Sequence, residues 1–571
     1  MGLPLISPDS ARTVDQRESP GPAMTVPSSS CFPNAGNGPY RILRLFQGGA
    51  LRSFEGVTRD PEQAQAQRLS AMLSNARGTV FARDHGLDAS PVELPALLDR
   101  FRGNVPIRTH AELLPWLDRV EAGEPDVLAR GPVLHLVETS GTTGRAKHLP
   151  VNALWVRSCD AAQRLWMLGL LRDDEQLAGG KALSVVSPAE HARSAGGIPI
   201  GSNTGRMFLA QPWWSRIRAA VPYAVCQIED PEVRAYTLLR HALGKDIRSW
   251  TTANPSTILL YSRRLVTWWD ELRQDALDGT LCQGPAARLD PHARRELSRG
   301  LRRLPAARLP ARDPRPASLW PLRRINCWTG GAGRFFLDKL PEALGADIPV
   351  REVGIHASEG VFAVSVDDGD PVAWLAGHVL EFRELAGASG GAPGGGEVRL
   401  AWELETGREY ELIVTTEAGL WRYAMGDVVR VTGWLGRAPR LVFVRKAGAF
   451  LNATGEKVTE DQVIAAAMRA FPGATGVCAA TEWCDPPRIV VGVEGFGGGT
   501  PLAFDGELSK ENLEYASKRA SSRLGPPLLV SLPAGTFGRW RAEKIAAGAP
   551  EAQVKDAIIV PIERLLPQPP A

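Results

Sequence analysis

The chain has 571 residues, 44% of them hydrophobic and 23% charged, with a formal net charge of +3. That length exceeds what one core fills, so at least two domains are expected, and so small a net charge argues against nucleic acid or an anionic membrane as partner. Seven cysteines, an odd number without a CxxC pair, argue against a disulfide framework or zinc site, and no apolar run is long enough to span a bilayer.

In chain order, residues 1–39 are rich in Ser, Pro and Gly and read as a mobile tail, with no secretory pattern at the start. Globular patterning begins at Tyr40. "PEQAQAQRLSAMLSNA" has helical spacing, "VLHLV" reads as a strand, and "VNALWVRSCDAAQRLWMLGLL" reads as a long amphipathic helix. "ALSVVS", "ELIVTT" and "RLVFVRK" are further strands. The arginine- and proline-rich tract "LRRLPAARLPARDPRPASLWPLRR" reads as a solvated connection, not a nucleic-acid patch. "AGASGGAPGGGE" is a flexible loop whose match to G-x-S-x-G is fortuitous, because a nucleophile elbow needs a strand before it and a helix after it. A junction is expected at residues 437–447, followed by a smaller unit with helix "EKVTEDQVIAAAMRAF" and strand "PRIVVGVEGF". Alternating strands and helices predict an α/β fold: a large N-terminal domain over 40–436 with mixed sheets and helices, a hinge at 437–447, and a small α+β C-terminal domain over 448–571.

Chemistry concentrates in "VETSGTTGRAKHLPV". It lacks G-x-x-x-x-G-K-[ST], so it is no Walker loop. Gly141 and Gly144 free the backbone to present N–H donors, Ser140, Thr142 and Thr143 add hydroxyls, and Lys147 adds a compact charge, all suited to phosphate. A plain turn between a strand and a helix explains this loop equally well. In "WRYAMGDVVRVTGW", Asp427 stands between apolar strands, where a carboxylate needs partners or sits in a Gly-Asp turn. His148 and His356 are in no metal spacing and read as packing or hydrogen-bonding residues.

The phrase "TSGTTGRAK" resembles the phosphate loop of adenylate-forming enzymes. With "VPIRTHAELLPWLDRVEAGEPDVL", "SAGGIPIGSNTG", "NPSTILLYSRRL", "CWTGGAG", "HASEGVFAV", "EYELIVTTEAGLWRYAMGDVV", "FLNATGEKVTED" and "GTFGRWRAEKIAAGAPEAQVK" in order, the chain is similar to the auxin-responsive (Gretchen Hagen) acyl-acid amido synthetase family, in its bacterial form. The resemblance implies a large ATP- and acyl-binding adenylation domain and a mobile C-terminal domain. It implies that Ser140, Gly141, Thr142, Thr143, Gly144 and Lys147 bind the nucleotide's phosphates, with Gly331 and Ser358 also on the nucleotide. It further assigns Asp427 to the ribose, Arg445 to a ribose or hinge contact, Glu359 to Mg²⁺ and catalysis, and Lys555 to charge stabilisation during adenylation. The cofactors would be ATP and Mg²⁺, the partners a carboxylic acid and an amine or amino acid, and the compartment the cytoplasm, without nucleic acid or membrane. Three departures stand out: Ile355 where the family has an aromatic residue, Ala424 in the "YAMGD" segment, and Asp556-Ala557 after the late lysine. A thioester-forming ligase and a non-catalytic nucleotide-binding relative remain as alternatives. The acid, the amine and the oligomeric state are not encoded in these motifs, since an acyl pocket is assembled from side chains far apart in sequence.

Overall fold

The computed structural model of the protein describes residues 38–87, 94–139, 147–211, 213–385, 396–446, 450–451, 456, 458–484, 486–495, 497–520, 524–547 and 554–566. The expected tail lies outside them except for residues 38–39, as does the glycine-rich loop except for residues 396–397.

Local signals account for the helices that frame the molecule. The helix Pro61–Ala76 coincides with "PEQAQAQRLSAMLSNA": Asp60 accepts from the Gln63 N–H, and Pro61 fills a first turn where a missing N–H costs nothing. Its inward face carries Gln65, Leu69, Met72 and Ala76. Gln65 satisfies its buried amide by donating to the carbonyls of Leu375 and His378 at 2.6 and 2.7 Å, which pins the helix to the large sheet.

That sheet has eight strands, in spatial order Val398–Leu400, Val379–Glu384, Glu409–Thr415, Tyr423–Leu435, Ala438–Lys446, Val372–Ala373, Gly360–Val364 and Ile355–Ala357. Every neighbouring pair is antiparallel. A second sheet is all parallel: Lys181–Ser184, Ile247–Thr251, Arg324–Cys327 and Val350–Glu352. Helices such as Pro231–Ala242 and Pro255–Thr267 flank its connections, as parallel strands require. A third, mixed sheet orders Lys147–Val151, His135–Thr139, Pro199–Gly201 and Ala192–Arg193. Toward the C-terminus, Gly476–Glu482, Arg488–Glu494 and Leu528–Leu532 form a three-stranded sheet next to the helix Glu460–Ala470. The fold is therefore mixed α/β, as expected.

One core lies under the large antiparallel sheet and includes Trp155, Trp374, Trp421 and Tyr423. Another runs from the parallel sheet (Trp250, Ile325) into the C-terminal segment (Val463, Ile464, Ile489). Two segments bear on the sequence reading. The expected junction at 437–447 includes the strand Ala438–Lys446, expected at "RLVFVRK", which continues the sheet by pairing along its length with Tyr423–Leu435. The arginine-rich tract is anchored as well as solvated, since Trp320 is buried and its indole donates to the Ala242 carbonyl at 3.0 Å.

Candidate functional site

Residues 140–146 lie outside the described residues, so Ser140, Gly141, Thr142, Thr143 and Gly144 are known here by their frame alone. Thr139 pairs with Lys147 at the mouth of two antiparallel strands. The loop thus closes a hairpin, where a direct passage from strand to helix was expected. The helix follows only at Ala153–Asp173, capped by Asn152, whose side chain accepts from the Trp155 N–H at 2.9 Å. Next to Lys147, His148 faces Glu138 across the pair. The Glu138 carboxylate lies 3.5 Å from His148 Nε2 and 3.3 Å from His191 Nε2, and Glu121 lies 3.1 Å from His148 Nδ1. The bond to Glu138, with help from Glu121, raises the His148 pKa above its ordinary value.

Glu359 is placed by three elements. Ser358 and Glu359 form the turn between the antiparallel strands Ile355–Ala357 and Gly360–Val364. The indole of Trp155, in the first turn of the long helix, donates to the Glu359 carbonyl at 2.7 Å. The Tyr423 hydroxyl lies near the Glu359 and Asp427 carboxylates. Burial, reinforced by the negative charges of Glu359 and Asp427, pushes the Tyr423 phenol well above its usual pKa and keeps it a donor.

Asp427 is not in a turn. It lies within the long strand Tyr423–Leu435, 5% exposed, opposite Lys446. Ile413 pairs with Ala424 and Glu411 with Val428, so Met425, Gly426 and Asp427 bulge out of the ladder, with Gly426 at φ 70°. Only a residue tolerant of positive φ makes that bulge cheaply, and a bulge re-aims the side chain beside it. The strand's start is fixed by the buried Arg422, which bonds both oxygens of Glu381 at 2.8 and 3.0 Å. Arg108 of the "VPIRTH" segment exchanges backbone bonds with Arg422 and Ala424, so two motifs distant in sequence are adjacent in space.

The "WTGGAG" loop follows the parallel strand Arg324–Cys327. A Cβ on Gly330 would lie 2.7 Å from the Phe443 carbonyl oxygen, and one on Gly331 would lie 2.9 Å from the Phe443 ring, so both must be glycine for this approach. Glu352 ties the loop to the next motif: one oxygen accepts from the Thr329 N–H and hydroxyl at 2.6 and 2.7 Å, the other from the Gly354 N–H at 2.9 Å. Burial nevertheless raises the Glu352 pKa, its donors offsetting only part of the cost. The Lys555 ammonium sits 4.4 Å from the Trp328 ring centre and 5.3 Å from that of Phe443, a cation–π contact that carries the late lysine to this loop.

The structure therefore brings Glu359, Tyr423 and Asp427 together, and Lys555 to the loop of Gly331. It does not bring Arg445 to Asp427. Arg445 is opposite Val428, one step along from Asp427, so it alternates to the other face of the sheet, where it bonds Glu409 at 3.0 Å. The departures have local explanations. Ile355 is buried at the start of its strand, Ala424 donates its N–H to Arg108, and Asp556 bonds Arg541 at 2.7 Å. Sequence reasoning missed Trp155, Glu352, Trp328 and Tyr423 as site residues. The available signal was their position, each being inside or within a few residues of a motif. Among the described residues no group of three or more His, Cys, Asp or Glu is arranged to hold a metal, and no helix is long and apolar enough to cross a membrane.

The mixed α/β frame and the family matches that follow define the adenylate-forming class of ATP-dependent ligases. The chain belongs to the GH3 family of acyl acid amido synthetases: models of the GH3 family N-terminal, central and C-terminal domains match residues 50–350, 375–446 and 490–563. It is 26% identical to a probable indole-3-acetic acid-amido synthetase GH3.4 of Oryza sativa subsp. japonica, over 88% of this chain and 87% of the relative. It is 25% identical to the jasmonoyl–L-amino acid synthetase JAR6 of Nicotiana attenuata, over 88% and 92%. The solved structure of GH3.15 acyl acid amido synthetase shares the fold with a TM-score of 0.76 at 20% identity, over 90% of this chain and 94% of that one. Both sequence relatives are plant proteins and give the expected bacterial affiliation no support.

Proposed function

We propose that the chain activates a carboxylic acid with ATP and passes the acyl group to the amine of an amino acid. A carboxylate oxygen attacks the α-phosphorus, the bond to the bridging oxygen breaks, and pyrophosphate leaves. The amine nitrogen then attacks the acyl carbon, AMP departs and the amine's proton passes to solvent. The convergence of Glu359 and Asp427 on Tyr423 supports this reading. Holding both reactants replaces an improbable encounter.

In this reading the loop from Ser140 to Gly144 and Lys147 bind phosphates, Gly331 and Ser358 contact the nucleotide, and Asp427 accepts from the ribose hydroxyls. Lys555 stabilises charge that develops as pyrophosphate departs. We assign Arg445 to the interdomain junction, since its bond to Glu409 faces away from Asp427. Mg²⁺ fits a site with Glu359 as its protein carboxylate, because this ion takes one or two carboxylates and completes its shell with phosphates and water. It would neutralise phosphate charge, while Trp155 fixes the Glu359 backbone and Tyr423 lies beside its side chain. The division into 40–436, 437–447 and 448–571 is part of the proposal, with the pivot at the C-terminal end of Ala438–Lys446. By their names the relatives act on indole-3-acetic acid and jasmonate, so we take the acid to have an apolar body. Six described cysteines are all free thiols, which favours the cytoplasm.

The test is mass spectrometry of products from Mg-ATP and pooled carboxylic acids, with mixed amino acids or with coenzyme A. Amide products that depend on amino acids support the proposal. Thioester products alone would move the chain to the other branch, and failure to bind ATP would end the enzymatic reading.

A further inference from the structure

A cavity lies at the edge of the parallel sheet. An open cleft of about 510 Å³ is bounded by the helix Asn203–Ala210, by residues 216–223 and by the end of the helix Pro231–Ala242. Phe208, Leu209, Ile217, Val221 and Pro222 give it an apolar wall. Leu209 and Ile217 remain 42% and 59% exposed, an adjoining apolar surface that folding has not covered.

The charges at this cleft are of one sign. Arg216, Lys245 and Arg299 line it, and no Asp or Glu is among the described residues that do. Burial, and then the nearby cations Lys181 and Arg302, lower the pKa of the Lys245 ammonium. His241 adds no charge: burial lowers its pKa to about 4, and Nε2 bonds the Leu297 carbonyl at 2.9 Å. An inorganic anion would balance the cations but leave Leu209 and Ile217 wet. A neutral apolar molecule would cover them and leave Arg216 and Lys245 with no acidic partner among the described lining residues, Arg299 being paired with Glu296 at 2.7 Å. A ligand with both parts answers both costs.

We propose that this cleft binds an amphipathic organic monoanion, its carboxylate head met by Arg216 and Lys245 and its apolar body laid along Phe208, Leu209 and Ile217. None of the lining residues is among those assigned to the nucleotide. The two sites share a helix. Arg206 stacks its guanidinium 4.9 Å over Trp155, which holds Glu359, while Phe208 and Leu209 on the same helix line the cleft. A ligand in the cleft therefore touches the element that buttresses the catalytic turn.

Calorimetric titration of the full chain with octanoate, and with octan-1-ol as the neutral control, tests this. Octanoate should bind wild type at least tenfold more tightly than octan-1-ol does. The R216Q/K245Q double variant should bind it at least tenfold more weakly than wild type while melting at the wild-type temperature. Ala219→Leu, which adds bulk at the half-buried lining without touching charge, should also weaken binding and is the second variant should the first fail to fold. Because octanoate can also enter the acyl site, the cleft is read from the one binding site that the substitutions remove; an unchanged number of octanoate sites in both variants, or equal affinity for the alcohol, overturns the proposal.

Discussion

Glu352→Gln keeps the size of a side chain and removes the charge that joins two motif loops. The wild-type carboxylate accepts from Thr329 twice and from Gly354 once. A glutamine oxygen can meet only one of these sides, and its NH₂ then faces a donor on the other. Turned toward Thr329, it leaves the Gly354 N–H unmet, at about 1–3 kcal/mol, and weakens the two Thr329 bonds by about 1 kcal/mol each. Relief of the burial that raises the Glu352 pKa offsets part of this. The net loss is about 2–3 kcal/mol, or roughly 30- to 150-fold in the population of the correctly placed loops. Since the Thr329 loop is assigned to the nucleotide, the KM for ATP in ATP–pyrophosphate exchange should rise at least tenfold, with kcat less affected. The melting temperature should fall by several degrees, at about 2–4 °C per kcal/mol for a sizeable domain. A variant with wild-type ATP KM and wild-type melting temperature refutes the reasoning.

Three further outcomes follow from the same geometry. Tyr423→Phe removes a protonated hydroxyl beside Glu359 and Asp427, worth about 1 kcal/mol, so adenylation in the exchange assay should slow by up to about tenfold; an unchanged rate would reduce the hydroxyl to packing. Lys555→Met should lower kcat for pyrophosphate exchange on the order of a hundredfold and leave ATP KM within about threefold, whereas a pure KM effect would make Lys555 a binding residue. His148 has a raised folded pKa, so its bonds to Glu138 and Glu121 stabilise fully below the ordinary 6.5 and are lost as pH rises through the folded value. The melting-temperature gap between wild type and His148→Gln should be larger at about pH 6 than at about pH 9, and a pH-independent gap would contradict that assignment.

The parts of the fold set by local signals were legible. Asp60 and Pro61 mark where the helix Pro61–Ala76 begins, and its apolar spacing marks its face. The strands at "ELIVTT" and "RLVFVRK" carry β-branched runs that periodicity detects, and both are present, as Glu409–Thr415 and Ala438–Lys446. What escaped depends on contacts between distant residues. "KHLPV" contains a proline and no alternation, so the return strand Lys147–Val151 is stabilised by its pairing with His135–Thr139 and not by its own propensity. "YAMGDVV" read as a break between strands, because Gly-Asp is common in turns. Gly426 instead makes a bulge inside one continuous strand, which is how Asp427 is buried near Tyr423. Trp155 and Glu352 act through bonds that no local pattern encodes, although Glu352 stands only two residues before the Gly354 that it holds.

The account rests on Asp427 being a nucleotide ligand, and calorimetric titration of ATP into wild type and Asp427→Ala tests that most directly. Loss of charge-assisted ribose bonds worth about 1.5–3 kcal/mol each predicts affinity at least tenfold weaker in the variant, without change in melting temperature beyond a few degrees. Equal ATP affinity in the two proteins would contradict the site.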